Sequence, residues 1–287
     1  MTNMLEVKNL SKKFKEFSLD DVSFNLQTGF IMGFIGPNGA GKTTTIKLIL
    51  NMLSKDSGSI KVFGRDNIES EREIKERVGV VMDNPFYVDD WKVSEVEKAL
   101  SPFYQGWDAQ KFSKLLSEFS INPQKKVKEL SRGMKMKLMI ASALSHDADL
   151  LILDEPTSGL DAVARDELMG ILGDFITDEN KAILFSTHIT SDLEKIADYI
   201  TFINSGKILY SDTKDALLEK YCLVKGGLGT LSHDQRQRII GYQESGVGFD
   251  GLIDCAEMKA MPGSAVMEQS SLDEIIVRFN MEGKINE

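Results

Sequence analysis

The stretch "GPNGAGKTT" at residues 36–44 carries three glycines, one lysine and two threonines within nine residues. It fits the pattern G-x-x-x-x-G-K-[ST]. The apolar run "FIMGFI" at residues 30–35 comes directly before it and is typical of a short buried strand. The residues behind it, "TTTIKLILNML" at 43–53, are apolar at helical spacing. The sequence therefore predicts a glycine-rich loop that joins a strand to a helix.

A loop of this kind is suited to binding phosphate groups. Its glycines let consecutive backbone N–H groups point at phosphate oxygens, and the helix N-terminus adds a partial positive charge. Lys42 can reach the β- and γ-phosphates, Thr43 can ligate Mg²⁺ and Thr44 can donate to the α-phosphate. The alternative, a turn with an incidental lysine, is disfavoured by the strand–loop–helix context. The predicted nucleotide-binding residues are Gly36, Asn38, Gly39, Ala40, Gly41, Lys42, Thr43 and Thr44.

The composition limits the partners that the chain can have. Its 287 residues are 42% hydrophobic and 27% charged, as in an ordinary soluble protein with one large domain or one large and one small domain. The net charge of −10 should repel nucleic acid and anionic lipid, so we expect no nucleic-acid partner. No run approaches the roughly 20 apolar residues that span a bilayer, and the N-terminus lacks the apolar segment of a signal peptide. We therefore expect a cytoplasmic protein.

The two cysteines, Cys222 and Cys255, are far apart in the sequence and fit neither a CxxC pair nor a metal-binding spacing. In a cytoplasmic protein such residues are usually reduced. We therefore expect two free thiols.

Two carboxylates follow a second apolar run, "LLIL" at residues 150–153. In an open parallel sheet, the carboxyl end of this strand lies beside the phosphate-binding loop. Asp154 is placed to hold Mg²⁺ directly or through water, and Glu155 can polarise a water that attacks the γ-phosphate. Adjacent side chains of a strand point to opposite sides, so two different roles are expected. Two surface acids at a strand end are the alternative, which the neighbouring loop disfavours.

A third apolar run, "KAILFST" at residues 181–187, ends at His188. If this strand is parallel to the other two, His188 lies at the same edge of the sheet. A neutral imidazole there can contact the γ-phosphate or the attacking water. Asp161 precedes the helical stretch "AVARDELMGIL" at 162–172, where it can be a helix N-cap or a functional residue. The sequence leaves both roles of Asp161 open.

With these motifs in place, the chain resembles the ATP-binding subunits of ATP-binding cassette (ABC) transporters. The resemblance covers residues 4 to about 212 and excludes kinases and GTPases, which lack a signature sequence between the loop and the acidic strand. The motifs follow the order and spacing of the family: "GPNGAGKTT" (36–44), the signature "LSRGM" (130–134), "LLILDEP" (150–156), "SGLD" (158–161) and "STH" (186–188).

The resemblance implies roles that spacing alone does not give. In this family two cassettes enclose two ATP molecules, so Ser131 and Gly133 would bind the γ-phosphate held by the partner cassette. Ser131 can also cap the helix that follows it. Asp161 would communicate across the same interface. Phe14 matches the position whose aromatic ring stacks on adenine, with a core position in the N-terminal β region as the alternative.

The sequence departs from the family at two places. Asp83, within "VGVVMDNPFY" at 78–87, stands where glutamine is usual, and an acid there can still reach Mg²⁺. The signature has Arg132 and Met134 where glycine and glutamine are usual. In both changes the chain resembles the cassettes of multidrug and antimicrobial-peptide exporters, such as the bacitracin exporter. The changes therefore favour an exporter. The predicted metal ligands are Thr43, Asp83 and Asp154.

We expect an α/β fold, a P-loop NTPase with a RecA-like parallel sheet and an N-terminal antiparallel β layer. Residues 1–212 form the cassette, with a helical subdomain at about 85–145. Residues 213–287 form a small α+β accessory domain, either regulatory or supporting a dimer. Its last helix is predicted to start with a capping box of Ser271 and Glu274.

The sequence therefore favours an ATP-binding and ATP-hydrolysing subunit of an ABC transporter, with ATP and Mg²⁺ as ligands. Glu155 is the expected general base, and Lys42 and His188 are its expected catalytic partners. ATP would close a dimer of cassettes, homo- or heterodimeric, and move a separate polytopic permease at the inner face of the membrane. The alternative is a soluble ABC ATPase that remodels a nucleic-acid or ribosomal complex. Such proteins usually carry tandem cassettes, long coiled coils or zinc-binding insertions, which this sequence lacks.

Overall fold

The computed structural model describes residues 3–84 and 86–285. Its strands form an N-terminal antiparallel sheet, a central sheet that is mostly parallel and a C-terminal antiparallel sheet. In chain order the strands are β1 (Asn3–Lys13), β2 (Ser18–Gln27), β3 (Ile31–Ile35), β4 (Ser57–Val62), β5 (Arg65–Asp66), β6 (Val78–Val81), β7 (Leu150–Asp154), β8 (Ala182–Thr187), β9 (Tyr199–Asn204), β10 (Lys207–Thr213), β11 (Tyr221–Gly226), β12 (Ile240–Ser245), β13 (Gly248–Asp254) and β14 (Val266–Gln269).

The helices connect and cover these sheets. None of the described helices has both the length and the apolar composition that crossing a membrane requires. In chain order they are α1 (Lys42–Ile49), α2 (Glu71–Arg77), α3 (Val93–Leu100), α4 (Ala109–Glu118), α5 (Arg132–Leu144), α6 (Ala162–Ile176), α7 (Thr190–Ile196), α8 (Lys214–Lys220), α9 (His233–Gln237) and α10 (Leu272–Ile285).

The central sheet has the strand order β10-β9-β3-β8-β7-β6. All neighbouring pairs are parallel except β9–β10. Every residue of β3, β7 and β8 is buried, as expected for parallel strands that are covered on both faces. The carboxyl ends of these three strands therefore meet at one edge, where the glycine loop, the two carboxylates and His188 follow them. The predicted P-loop NTPase fold is confirmed.

The N-terminal sheet, of order β2-β1-β4-β5, is the predicted antiparallel layer. It packs on one face of the central sheet, and the ring of Phe24 lies 5.3 Å from that of Phe34 in β3. On the other face, α3, α4 and α5 form the predicted helical region around buried side chains such as Phe112 and Leu138. Tyr87 packs against this region, whereas Phe86 is 70% exposed.

The C-terminal sheet has the order β12-β13-β11-β14 and carries α10 against it. Ser271 and Glu274 form the predicted capping box, in which the Ser271 N–H donates to Glu274 Oε2 at 2.8 Å. Helix α10 also enters the main core, where the ring of Phe279 stacks 5.7 Å from that of Phe202 in β9. The division at residue 212, inside β10, stays a prediction because the two regions share this core.

The expectation of two free thiols is wrong, because Cys222 and Cys255 form a disulfide. Strands β11 and β13 pair antiparallel with Cys222 opposite Ile253, and this register brings the cysteine Cα atoms to 5.4 Å. That distance is within the normal range for a disulfide. The 33-residue separation gave no sign of this strand pairing.

Candidate active site

The glycine loop has a backbone that other residues adopt with strain. Gly39 and Gly41 have φ of 83° and 112°, in the left-handed region. A Cβ on Gly41 would lie 2.6 Å from Leu19 Cδ2, and one on Gly36 would lie 2.1 Å from the carbonyl oxygen of Ile203. The backbone conformation of the loop and its close packing against Leu19 and Ile203 therefore require glycine. The loop ends at the N-terminus of α1.

A cavity of about 650 Å³ lies in front of this loop. It brings the loop together with the carboxylate that follows β7 and with the segment that follows β6. Its walls include Asn38, Gly41, Lys42, Thr44, Asp83 and Glu155.

Lys42 is buried at the centre of this arrangement, with 6% of its side chain exposed. Its Nζ donates to the carbonyl oxygen of Gly36 at 2.7 Å. The same Nζ lies 3.2 Å from Glu155 Oε1, within ion-pair range but without hydrogen-bond geometry. The ammonium group is thus held between the loop and the carboxylate that follows β7.

Asp154 is buried at the end of β7. It accepts hydrogen bonds from Thr43 Oγ1 at 2.7 Å and from Ser186 Oγ at 3.0 Å. Burial raises the pKa of Asp154 above its usual value, and the hydrogen bonds from Thr43 and Ser186, with the positive charge of Lys42, oppose that rise. A hydroxyl beside a carboxylate supplies the oxygen ligands that Mg²⁺ prefers, so Thr43 and Asp154 fit such an ion.

Glu155 lies one residue beyond the strand and has a φ of 53°. The expectation that the two carboxylates point to opposite sides of a strand is therefore wrong, since β7 ends at Asp154. The Glu155 N–H donates to the carbonyl oxygen of Ser186 at 2.9 Å, and Oε2 lies 2.7 Å from His188 Nδ1. Left-handed backbone in a non-glycine residue costs about 1–3 kcal/mol and is concentrated at functional sites. This turn directs Glu155 toward the loop cavity.

Phe14 is 39% exposed, so the alternative that it fills the core is wrong. It lines a second cavity, of about 420 Å³, together with Glu16, Phe17 and Gly39. These three residues also line the cavity in front of the glycine loop, so the two cavities adjoin. Phe17 is not among the residues predicted from the sequence, although "FKEF" at 14–17 shows two neighbouring aromatic residues. The ring centroids of Phe14 and Phe17 are 6.3 Å apart.

Ser131, Gly133 and Asp161 lie outside the walls of the loop cavity. Ser131 caps α5 by accepting from the Met134 N–H at 3.2 Å. Asp161 caps α6 by accepting from the Ala164 N–H at 2.9 Å. Both predicted caps are confirmed, and the roles of these residues across a dimer stay predictions.

The two departures from the family pattern touch each other. Arg132 Nη2 lies 2.5 Å from Asp83 Oδ1 and 3.1 Å from Ser158 Oγ. Ion pairs between exposed groups such as these contribute about 0–1 kcal/mol. The opposite charges of Arg132 and Asp83 agree with this contact, but the sequence did not predict it. The role of Asp83 as a metal ligand stays a prediction.

Comparisons with known proteins agree with this geometry. The family model for ABC transporters matches residues 19–158. The bacitracin transport ATP-binding protein BcrA of Bacillus licheniformis is 32% identical over 212 residues, which cover 73% of this chain and 69% of that protein. The lantibiotic transport ATP-binding protein SrtF of Streptococcus pyogenes is 36% identical over 215 residues, covering 74% and 92%.

A solved structure, described as the ATP binding subunit of an ABC transporter, superposes with a TM-score of 0.69 at 28% identity. The match covers 75% of this chain and 91% of the other. Together, the loop, the two carboxylates, His188 and these relatives show that the chain belongs to the ATP-binding proteins of ABC transporters, whose cassettes are P-loop ATPases.

Proposed function

We propose that this ATPase powers the export of a peptide or drug-like compound through a separate membrane permease. The observation that carries the energy-coupling part is the position of Glu155, 2.7 Å from His188 Nδ1 and 3.2 Å from Lys42 Nζ at the phosphate loop. The export part rests on relatives named for bacitracin transport, lantibiotic transport and Nod factor export. These relatives lend no support to the alternative of remodelling a nucleic-acid or ribosomal complex.

ATP would bind with its phosphates in the glycine loop. The backbone N–H groups at the start of α1 and the ammonium of Lys42 would hold the β- and γ-phosphates. Thr43 and Asp154 would hold Mg²⁺, which when bound neutralises phosphate charge. Burial raises the pKa of Asp154. A cation bound at this site would oppose that rise, because it favours the ionised carboxylate.

Glu155 would act as the general base. Its Oε2 is engaged by His188, whereas its Oε1 makes no hydrogen bond within the described part of the chain. Oε1 is therefore the oxygen that can accept the proton of an attacking water. His188 would hold the carboxylate in place during this transfer.

A second cassette would complete the site. Ser131 caps the 13-residue helix α5 and lies outside the walls of its own loop cavity. This position supports a role for the N-terminus of α5 in binding the γ-phosphate that a partner holds. Asp161 would lie at the same interface. ATP would then close the dimer, and hydrolysis would reopen it.

The permease partner places the chain at the cytoplasmic face of the membrane in this proposal. The test is an affinity pull-down of Glu155→Gln with Mg-ATP from detergent-solubilised membranes of the native host, read by mass spectrometry. We expect a polytopic membrane protein in near-equal amount, enriched over the same variant loaded with Mg-ADP. Recovery of only soluble or ribosomal proteins would contradict the proposal.

Phe14 provides a separate prediction about the adenine. Base–aromatic stacking is worth about 1–3 kcal/mol by alanine substitution, so Phe14→Ala should raise the Kd for ATP by about tenfold. Turnover at saturating ATP should be retained, because the adenine and the γ-phosphate are at opposite ends of ATP. Titration with ATP measures the effect. Phe103→Ala, which removes an aromatic side chain that is 79% exposed in the helical region, is the matched control. An equal change in both variants would remove Phe14 from the adenine site.

A further inference from the structure

Helix α10, near the end of the chain, is hydrogen-bonded to the segment that carries His188. Thr190 is the first residue of α7, two positions after His188, and is 9% exposed. Its Oγ1 donates to Asp273 Oδ1 in the first turn of α10 at 2.7 Å. A side chain of the C-terminal region therefore contacts the helix that starts directly behind the catalytic histidine.

A second hydrogen bond joins the same two helices. The N–H of Leu272, the first residue of α10, donates to Glu194 Oε1 of α7 at 3.2 Å. Each helix thus supplies one side-chain acceptor to the other. The two bonds fix the start of α10 along α7.

Helix α7 is also packed tightly between α10 and the central sheet. Leu193 is fully buried in the same core as Leu272 and Ile275. A Cβ on Gly33 of β3 would lie 2.7 Å from Leu193 Cδ1, so α7 lies directly against the strand that leads into the phosphate loop. A shift of α10 would therefore be passed to α7.

The start of α7 has no side-chain cap of its own, so it relies on contacts such as the hydrogen bond between Thr190 and Asp273. The N-cap residue, Ile189, provides no side-chain hydrogen bond to the helix. The Ile189 N–H donates back to Thr187 Oγ1 at 3.0 Å. His188 sits within this turn, with 44% of its side chain exposed, so the backbone around it sets where the imidazole points.

We propose that Asp273 is a positioning residue for ATP hydrolysis. It holds Thr190 and, through the backbone at Ile189, keeps His188 Nδ1 within hydrogen-bonding reach of Glu155. Asp273 lies outside the walls of the loop cavity and acts through His188. The C-terminal region then contributes to turnover as well as to the fold. This inference rests on the proposed roles of Glu155 and His188.

The test compares steady-state ATPase kinetics of full-length variants. Positioning partners of catalytic groups change activity by about 10–100-fold, so Asp273→Ala and Thr190→Val should each lower kcat by about tenfold. The KM for ATP should stay within about twofold of wild type, because the phosphate loop is untouched. Asp273→Asn keeps an oxygen acceptor for Thr190 and should retain nearly wild-type kcat.

Asp250→Ala is the matched control for general loosening of α10. It removes a hydrogen bond 2.8 Å long from Arg278 Nη2 of α10 to Asp250 Oδ1 of β13. This bond also holds α10 but does not involve α7. We expect kcat to stay at the wild-type level in this variant. An equal fall of kcat in Asp250→Ala and Asp273→Ala would overturn the proposal, and thermal unfolding of each variant identifies any that fail to fold.

A double variant separates this inference from the proposed function. In a His188→Ala background, Asp273→Ala should lower kcat no further, because its effect passes through His188. A further tenfold loss there, or wild-type kcat in both Asp273→Ala and Thr190→Val, overturns the positioning role alone. If His188→Ala itself leaves kcat unchanged, the proposed catalytic arrangement fails first.

Discussion

The Glu155→Gln variant is expected to bind ATP and to hydrolyse it at least about 100-fold more slowly than the wild type, as loss of a general base gives. Glutamine has nearly the same shape and can occupy the same left-handed position beside His188. It cannot take a proton from water at Oε1. Release of inorganic phosphate and equilibrium binding of ATP, measured on the same preparation, check the two parts of this expectation.

The control for Glu155 is Glu179→Gln, the same chemical change at an exposed position before β8. It should hydrolyse ATP at the wild-type rate. Near wild-type turnover in Glu155→Gln would remove Glu155 from the role of base. Loss of ATP binding in that variant would instead show that the carboxylate is needed to form the site.

Lys42→Met should reduce kcat/KM by at least about 100-fold, since removing one preorganised charge stabiliser typically has an effect of this size. Methionine keeps the length of the side chain but has no donor for the carbonyl oxygen of Gly36 or for phosphate. It also leaves Glu155 and Asp154 without their nearest cation. The pKa of Asp154, already raised by burial, should rise further, because the charge of Lys42 favours its ionised form.

Calorimetric titration with ATP and a phosphate-release assay measure the effect of Lys42→Met. Lys47→Met is the matched control, because Lys47 lies in the last turn of the same helix and outside the cavity walls. It should leave both ATP binding and turnover unchanged. Turnover of Lys42→Met within about tenfold of wild type would contradict the role of the lysine as the principal cation of the site.

Local patterns in the sequence were sufficient to predict the centre of this site. The glycine spacing of residues 36–44 predicts the loop, because few other backbone conformations require glycine at those positions. The apolar runs before Asp154 and His188 predict buried parallel strands, whose carboxyl ends must meet. The helix caps at Ser131 and Asp161 also follow from local chemistry.

Contacts between distant residues could not be predicted in the same way. Arg132 and Asp83 are 49 residues apart, and Thr190 and Asp273 are 83 apart, so neither pair has a periodicity to reveal it. The left-handed turn at Glu155 depends on the hydrogen bond to Ser186, which exists only once β7 and β8 are paired. These features arise from tertiary structure, so only the three-dimensional structure shows them.

The bond between Cys222 and Cys255 has a consequence for protease digestion. It encloses most of β11, α9, β12, all of β13 and the turn before β13, where Val247 is 92% exposed. A protease that cuts this turn breaks the backbone, but the two fragments stay covalently joined. They would run as one band on a denaturing gel without reductant and as two bands with it.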